Sequence, residues 1–220
     1  GVDAAWLQQQ GFEVTATDLS AEMLAVAAGK NKNVTFVQCN FLELDKHFAS
    51  GTFDVIFSNF GGLNCVDEKG LQQISAIVSG LLRENGKFIA VVMGNNCWWE
   101  KFYFRRKGKY AEAARRASGK PVEANINGNR FPVWYYSPVS FASCFQTHFK
   151  VTAERAIGWL VPPSYLDNAF KNKRFLLQIF FALDKWCGKF SFAINRADHF
   201  LIAMERIIIL PQRHKDTKAH

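Results

Sequence analysis

The sequence predicts an α/β fold on a mostly parallel sheet, with an aromatic and basic insertion late in the chain. Three observations carry this expectation. Helix-like and strand-like segments alternate over the first 94 residues, as in successive βαβ units. Phe53–Ser58 and Lys87–Met93 are dense apolar runs, the pattern of strands covered on both faces. After Gly94 the texture changes, and a last strand-like run comes only at His199–Leu210.

Taken in order, Ala4–Gln10 reads as a helix stopped by Gly11, and Glu13–Thr17 as the strand after it. Ser20 can cap a helix through Met23 to about Gly29, and Val34–Cys39 is the next strand. Leu71–Leu82 carries a helical stripe (Leu71, Ile74, Ile77, Val78, Leu81) closed by the turn Asn85-Gly86. Trp98–Ala117 reads as one aromatic, basic helix, and Val122–Tyr136 as two strands around Asn127-Gly128. Ser137-Pro138 starts another helix by the cap-then-proline rule. Val151–Val161 is a strand broken by Pro162-Pro163, and a basic helical stretch follows to about Lys189.

A chain of 220 residues holds one compact domain with a full core and room for an elaboration. No apolar run is long enough to cross a bilayer, and Phe175–Trp186 is interrupted by Gln178, Asp184 and Lys185. No signal-peptide pattern opens the chain. Cys39, Cys65, Cys97, Cys144 and Cys187 are far apart and form no CxxC or Cys/His cluster. That spacing argues against a zinc site or a disulfide framework and favours a reducing, cytoplasmic setting. The formal charge of +8 arises after residue 95, from Lys101, Arg105, Arg106, Lys107, Lys109, Arg115, Arg116 and later bases. Solvated helix faces are the expectation for such runs.

The segment richest in chemistry is Glu13-Val-Thr-Ala-Thr-Asp-Leu-Ser-Ala-Glu-Met-Leu24. A carboxylate ending the second strand of such a sheet stands beside the ligand crevice, where Asp18 can accept both hydrogens of a ribose diol. Leu19 and Met23 offer an apolar wall for an adenine ring. The alternative is that Asp18 only helps cap the following helix.

This segment, followed by Val34-Thr-Phe-Val-Gln-Cys-Asn-Phe41, Phe53-Asp-Val-Ile-Phe-Ser-Asn59 and Leu81-Leu-Arg-Glu-Asn-Gly-Lys-Phe-Ile-Ala90, resembles the class I S-adenosylmethionine-dependent methyltransferase family over roughly residues 1–94. The resemblance implies a Rossmann-like methyltransferase sheet, mostly parallel with an antiparallel last strand. It also implies S-adenosylmethionine as cofactor and S-adenosylhomocysteine as product. It places the ribose-binding acid on Asp18 and Leu19 beside the adenine. The acidic third-strand position falls on Asn40, a departure from the family's Asp that implies weaker binding through the amide carbonyl. Phe41 falls at the ring's edge, and Ser58, Asn59 and Phe60 flank the methionine part. Turn residues after strands are the plainer reading of Asn40 and Asn59. Of the family's glycine-rich loop only Gly1 stands in the sequence, so the first strand is expected to be missing and the chain N-terminally incomplete.

The organisation expected is a cofactor-binding core at 1–94, a substrate-side elaboration at 95–190, a final strand at 191–210 and a polar tail at 211–220. Methyl transfer from a sulfonium is an in-line displacement that positioning can drive without a metal. Acceptor-side candidates are Trp98, Trp99, Glu100, Tyr103, Tyr135 and Tyr136, whose aromatic walls suit a flat or cationic small molecule, with core packing as the plainer role. His199 can serve as a base or as a hydrogen-bonded structural histidine. Two other functions stay open. Arg105-Arg106-Lys107 beside Tyr103 and Phe104 could track nucleic acid, and Asp18 alone would serve a nicotinamide-dependent oxidoreductase equally well. The stretch Phe170–Lys189 could lie on a membrane surface, but a lid over the substrate site is the simpler expectation.

Overall fold

The computed structural model describes residues 1–59, 61–126, 128–163, 166, 170 and 172–207. Contacts divide the chain into two units, Gly1–Ser50 and Gly51–His220, and not at residue 94. Strand pairing explains the position of the division: Leu82–Met93 lies antiparallel against His199–Arg206, so residues before and after position 94 share one sheet.

The first unit holds α1 (Val2–Gln9), β1 (Thr15–Asp18), α2 (Ala21–Lys30), β2 (Thr35–Gln38), a 3-10 turn at Phe41–Glu43 and the single-turn α3 (Leu44–His47). The strands β1 and β2 are parallel, with Asp18 opposite Gln38. Ser20 caps α2 as expected, its hydroxyl accepting from the Met23 amide at 3.2 Å. Few side chains are buried here, chiefly Ala4, Ala27, Val34, Cys39 and Leu44, while Val2, Trp6, Phe12 and Val26 stay exposed.

The second unit runs β3 (Phe53–Ser58), α4 (Glu68–Leu81), β4 (Leu82–Met93), α5 (Trp98–Arg106), α6 (Tyr110–Ala114), β5 (Val122–Ile126), β6 (Asn129–Val133), α7 (Pro138–Phe145), β7 (Phe149–Ile157), α8 (Arg174–Cys187), α9 (Ser191–Ile194) and β8 (His199–Arg206). Its main sheet has the order β3-β4-β8-β7, with β3 parallel to β4 and β8 antiparallel to both of its neighbours. The fold is therefore α/β, with parallel pairs early and an antiparallel last strand.

The expected stripe on α4 is buried at Leu71, Ile74, Val78 and Leu81, with Asp67 capping through the Gly70 amide at 2.8 Å. On the same core, α7 starts at Ser137 with a reciprocal cap to Ser140. It places Phe141 and Phe145 against Phe88 and Phe200, all four at most 1% exposed. Each such ring contributes roughly 1.5–3 kcal/mol of burial.

Local boundaries differ where backbone conformation overrides the pattern. The register slips between Phe53 and Val55, and Asn85, at φ 61°, sits inside β4 instead of before it. The expected helix 98–117 is divided because Gly108 takes φ 70°. Likewise β7 stops at Gly158, also at φ 70°, ahead of Pro162-Pro163. The β5–β6 hairpin forms, with Gly128 at φ 88°, but Asn127 lies outside the described residues. So do Ile208, Ile209 and Leu210 of the expected last strand and the tail at 211–220.

Candidate functional site

In the first unit the ends of β1 and β2 are tied side by side. The Cys39 amide donates to the Asp18 carbonyl at 3.2 Å, and Gln38 Nε2 donates to the Leu19 carbonyl at 3.0 Å. Asp18, Leu19 and Asn40 thus share one sheet edge. Asp18 Oδ1 accepts from the Ser20 amide at 2.9 Å, so the capping role is filled by one oxygen, while Oδ2 takes no hydrogen bond from a described residue. Beside it Leu19 and Met23 are 67% and 58% exposed, an unusual outlay of apolar surface. Asn40 caps the following turn, its Oδ1 accepting from the Leu42 amide at 3.1 Å, and half-buried Phe41 opens that turn. The amide oxygen keeps a second lone pair. At Gly1 a Cβ would come within 2.8 Å of the Ala27 Cβ and 2.9 Å of Asn31 Nδ2, so only glycine fits the approach of α1 to α2.

In the second unit Ser58 and Asn59 stand half-buried at the C-terminal end of β3, and Phe60 lies outside the described residues. Past β4, Trp98 donates its indole N–H to the Trp159 carbonyl, and Trp99 donates to the Leu160 carbonyl at 3.1 Å. These bonds tether α5 to the segment after β7. Glu100 is buried and accepts from Arg115 Nε at 2.9 Å and Arg116 Nε at 2.9 Å. Arg116 then reaches Asp198 Oδ1 at 2.7 Å and lies 4.9 Å from the centre of the Tyr135 ring. Asp198 Oδ2 is 3.1 Å from His199 Nδ1.

Burial by itself would raise the Asp198 carboxyl, but the His199 hydrogen bond and the Arg116 charge outweigh it and hold the group at about 2. The same balance favours the charged form of Arg116: burial opposes it, and Asp198 and Glu100 win. Burial pushes the neighbouring Cys97 thiol up to about 11, so no thiolate nucleophile stands there. Tyr136 is also buried, donates to the Val66 carbonyl and is pushed up, chiefly by burial. Tyr103 receives a hydrogen bond from Lys107 Nζ at 2.5 Å and stands edge-on to Phe104.

Glu100, Tyr135 and His199 are therefore joined through Arg116 and Asp198, whereas Tyr103 and Tyr136 make separate contacts. Sequence reasoning missed this network and took Arg115 and Arg116 for solvated charges. Instead the Arg116 side chain is 9% exposed, because Glu100 and Asp198 neutralise it. The hint was Glu100 in the aromatic first turn of a basic run. Also missed was Asn64, which is fully buried and donates to the Met93 and Trp134 carbonyls at 3.2 and 2.6 Å. Among the described residues no group of three or more His, Cys, Asp or Glu is placed to hold a metal.

Residues 1–86 match the family model described as "Methyltransferase domain". No curated protein matches the chain. Among solved structures, an S-adenosylmethionine-dependent methyltransferase from Methanosarcina mazei is similar at 17% identity and TM-score 0.62, over 93% of this chain and 86% of that one. A Burkholderia thailandensis 1,6-didemethyltoxoflavin-N1-methyltransferase, solved with 1,6-didemethyltoxoflavin and S-adenosylhomocysteine, is similar at 20% identity and TM-score 0.52, over 95% and 67%. A glycopeptide N-methyltransferase complexed with S-adenosylhomocysteine gives 15% and 0.52, over 91% and 76%. At these identities the structures establish the fold, and the family model matches residues 1–86, less than half of the chain. The chain is thus similar, in sequence over residues 1–86 and in fold over most of its length, to S-adenosylmethionine-dependent methyltransferases, enzymes that take a methyl group from that cofactor.

Proposed function

We propose that the protein transfers the methyl group to a small-molecule acceptor by in-line displacement, with the adenosyl half of the cofactor held at the β1–β2 edge. The observation that carries the reading is Asp18, whose Oδ2 is left open between exposed Leu19 and Met23. A charged acceptor suits a ribose diol and two apolar side chains suit adenine, so the residues present fit the group. Asn40 and Phe41 would complete that edge, and Gly1 would allow close backbone approach. When bound, the cofactor supplies an electrophilic methyl on a sulfonium; the protein's part is to align the acceptor with it.

On the acceptor side, half-buried Trp98, Tyr103 and Tyr135 supply aromatic surface, while Trp99 and Tyr136 are buried. Tyr135 lies against Arg116, whose orientation Glu100 and Asp198 fix. With Nδ1 of His199 on Asp198, Nε2 is the nitrogen left to take a proton from an acceptor that arrives protonated. The small-molecule reading is supported by the Burkholderia neighbour, whose structure holds 1,6-didemethyltoxoflavin. A cytoplasmic location is supported by five free cysteines and by the absence, among described residues, of a helix long and apolar enough to span a membrane.

The test is calorimetric titration with S-adenosylhomocysteine, keeping any residues that precede Gly1 in the natural protein. Binding that Asp18→Asn weakens is expected. No heat at millimolar ligand would remove the reading.

A further inference from the structure

Helix α8 carries two different faces. Inward, Asp184 is buried and accepts from the amides of Gly158, Trp159 and Leu160 at 3.0–3.1 Å, which anchors the helix to the end of β7. Outward, Phe175, Ile179, Leu183 and Trp186 follow one another at steps of four, four and three residues, so they form one strip along the helix. They are 76%, 39%, 43% and 64% exposed. A lid seated over a site would bury this strip; here it faces outward from its unit.

The strip continues past the helix. Trp186 meets Phe190 edge-on at 5.8 Å, Phe190 stacks on Phe192 at 5.8 Å, and Phe192 meets Trp159 at 5.1 Å. Trp159 accepts from the indole of Trp98, and Trp98 opens a concavity of about 520 Å³ lined also by Lys101, Phe102, Arg105, Arg106 and Arg196. The lining contains no carboxylate.

Charge over the same stretch has one sign. From position 171 to 197 the sequence holds six bases and one acid. That acid is Asp184, turned inward on backbone amides, so outward charge is positive. Lys173, Arg174, Lys185 and Lys189 are all exposed around the apolar strip.

We propose that α8, α9 and the basic side of α5 form a docking surface for an anionic phospholipid membrane. An apolar strip flanked by bases has the composition of a helix lying in the bilayer interface, with aromatic rings at headgroup depth and cations on lipid phosphates. Nucleic acid would find the cations but set the strip of Phe, Ile, Leu and Trp against its phosphates. The proposal is independent of the cofactor reading, because none of these side chains belongs to the β1–β2 edge.

Co-sedimentation with phosphatidylcholine vesicles, with and without about one-third phosphatidylglycerol, tests it. The protein is expected to pellet with the anionic vesicles only, and binding is expected to weaken as salt rises from about 0.1 to 0.5 M. The exposed double variant Phe175→Ser/Trp186→Ser should lose at least ~10-fold in partitioning while keeping its circular dichroism and melting temperature. Lys185→Glu/Lys189→Glu should lose the preference for anionic lipid, at about 5-fold per charge. Protein that stays in the supernatant overturns the proposal. So does binding that survives the serine variant, or a single-stranded oligonucleotide bound equally well by that variant. A dimer that Trp186→Ser dissociates, without lipid binding, would give the strip to a second copy instead.

Discussion

The two units of this chain invert the usual relation between packing and motif. Gly51–His220 buries at least five phenylalanines, a long helical stripe and an ion network on Arg116, and very little of it was recognisable as function. Gly1–Ser50 buries mostly alanines and a few aliphatic side chains, and leaves Trp6, Leu19 and Met23 exposed, yet it carries the clearest functional pattern. The difference teaches that ligand surface and core compete for the same apolar residues. On the proposed reading, Leu19 and Met23 are kept out for a nucleoside ring and add nothing to their own unit's core until it arrives.

This contrast can be broken by substitution. Phe141→Ala should lower unfolding free energy by about 3–5 kcal/mol in urea, because the ring is fully buried among three others. Arg116→Met should cost about 2–4 kcal/mol, since buried Glu100 would keep only Arg115 and Asp198 only His199. A loss under about 1 kcal/mol in either would show the second unit to be far less packed than described.

Acid should sharpen the same point. Asp198 is held at about 2 against an ordinary 3.8, so its folded-state value is depressed. Its stabilisation is complete above the ordinary value and is lost as pH falls from about 4 to about 2, on the order of 2 kcal/mol in all. Unfolding followed across that window should show the decline, and Asp198→Asn should remove its share.

In the first unit the effects should appear in binding. Asp18→Asn is expected to weaken S-adenosylhomocysteine by roughly 10–100-fold, the loss of a charge-assisted hydrogen bond, with its melting temperature unchanged. Asn keeps the acceptor for the Ser20 amide, so the cap survives. Smallest of all, Trp6→Ala should change stability by no more than about 0.5 kcal/mol, because the ring is 58% exposed.

Much of the fold was legible because it is written in local terms. The stripe on α4, the Ser20 and Ser137 caps and the strand Phe53–Ser58 each follow from the spacing or identity of neighbouring residues. Boundaries failed where one residue took a left-handed conformation, at Asn85, Gly108 and Gly158, since a helical or strand period says nothing about φ. The β1 edge was legible from Asp18 and its neighbours. The network behind His199 was not, because Glu100, Arg116 and Asp198 come from three separate segments.

By itself the sequence determined the α/β class, the parallel early strand pairs, the antiparallel last strand and the carboxylate that ends β1. Hydrophobic period and cap chemistry act over a few residues, and those features need nothing more. Only the tertiary structure decided which arginine is buried, which acid turns inward and which strip of aromatic side chains is left facing out. Charge and exposure at a residue are set by what distant segments bring against it, and no local pattern encodes that.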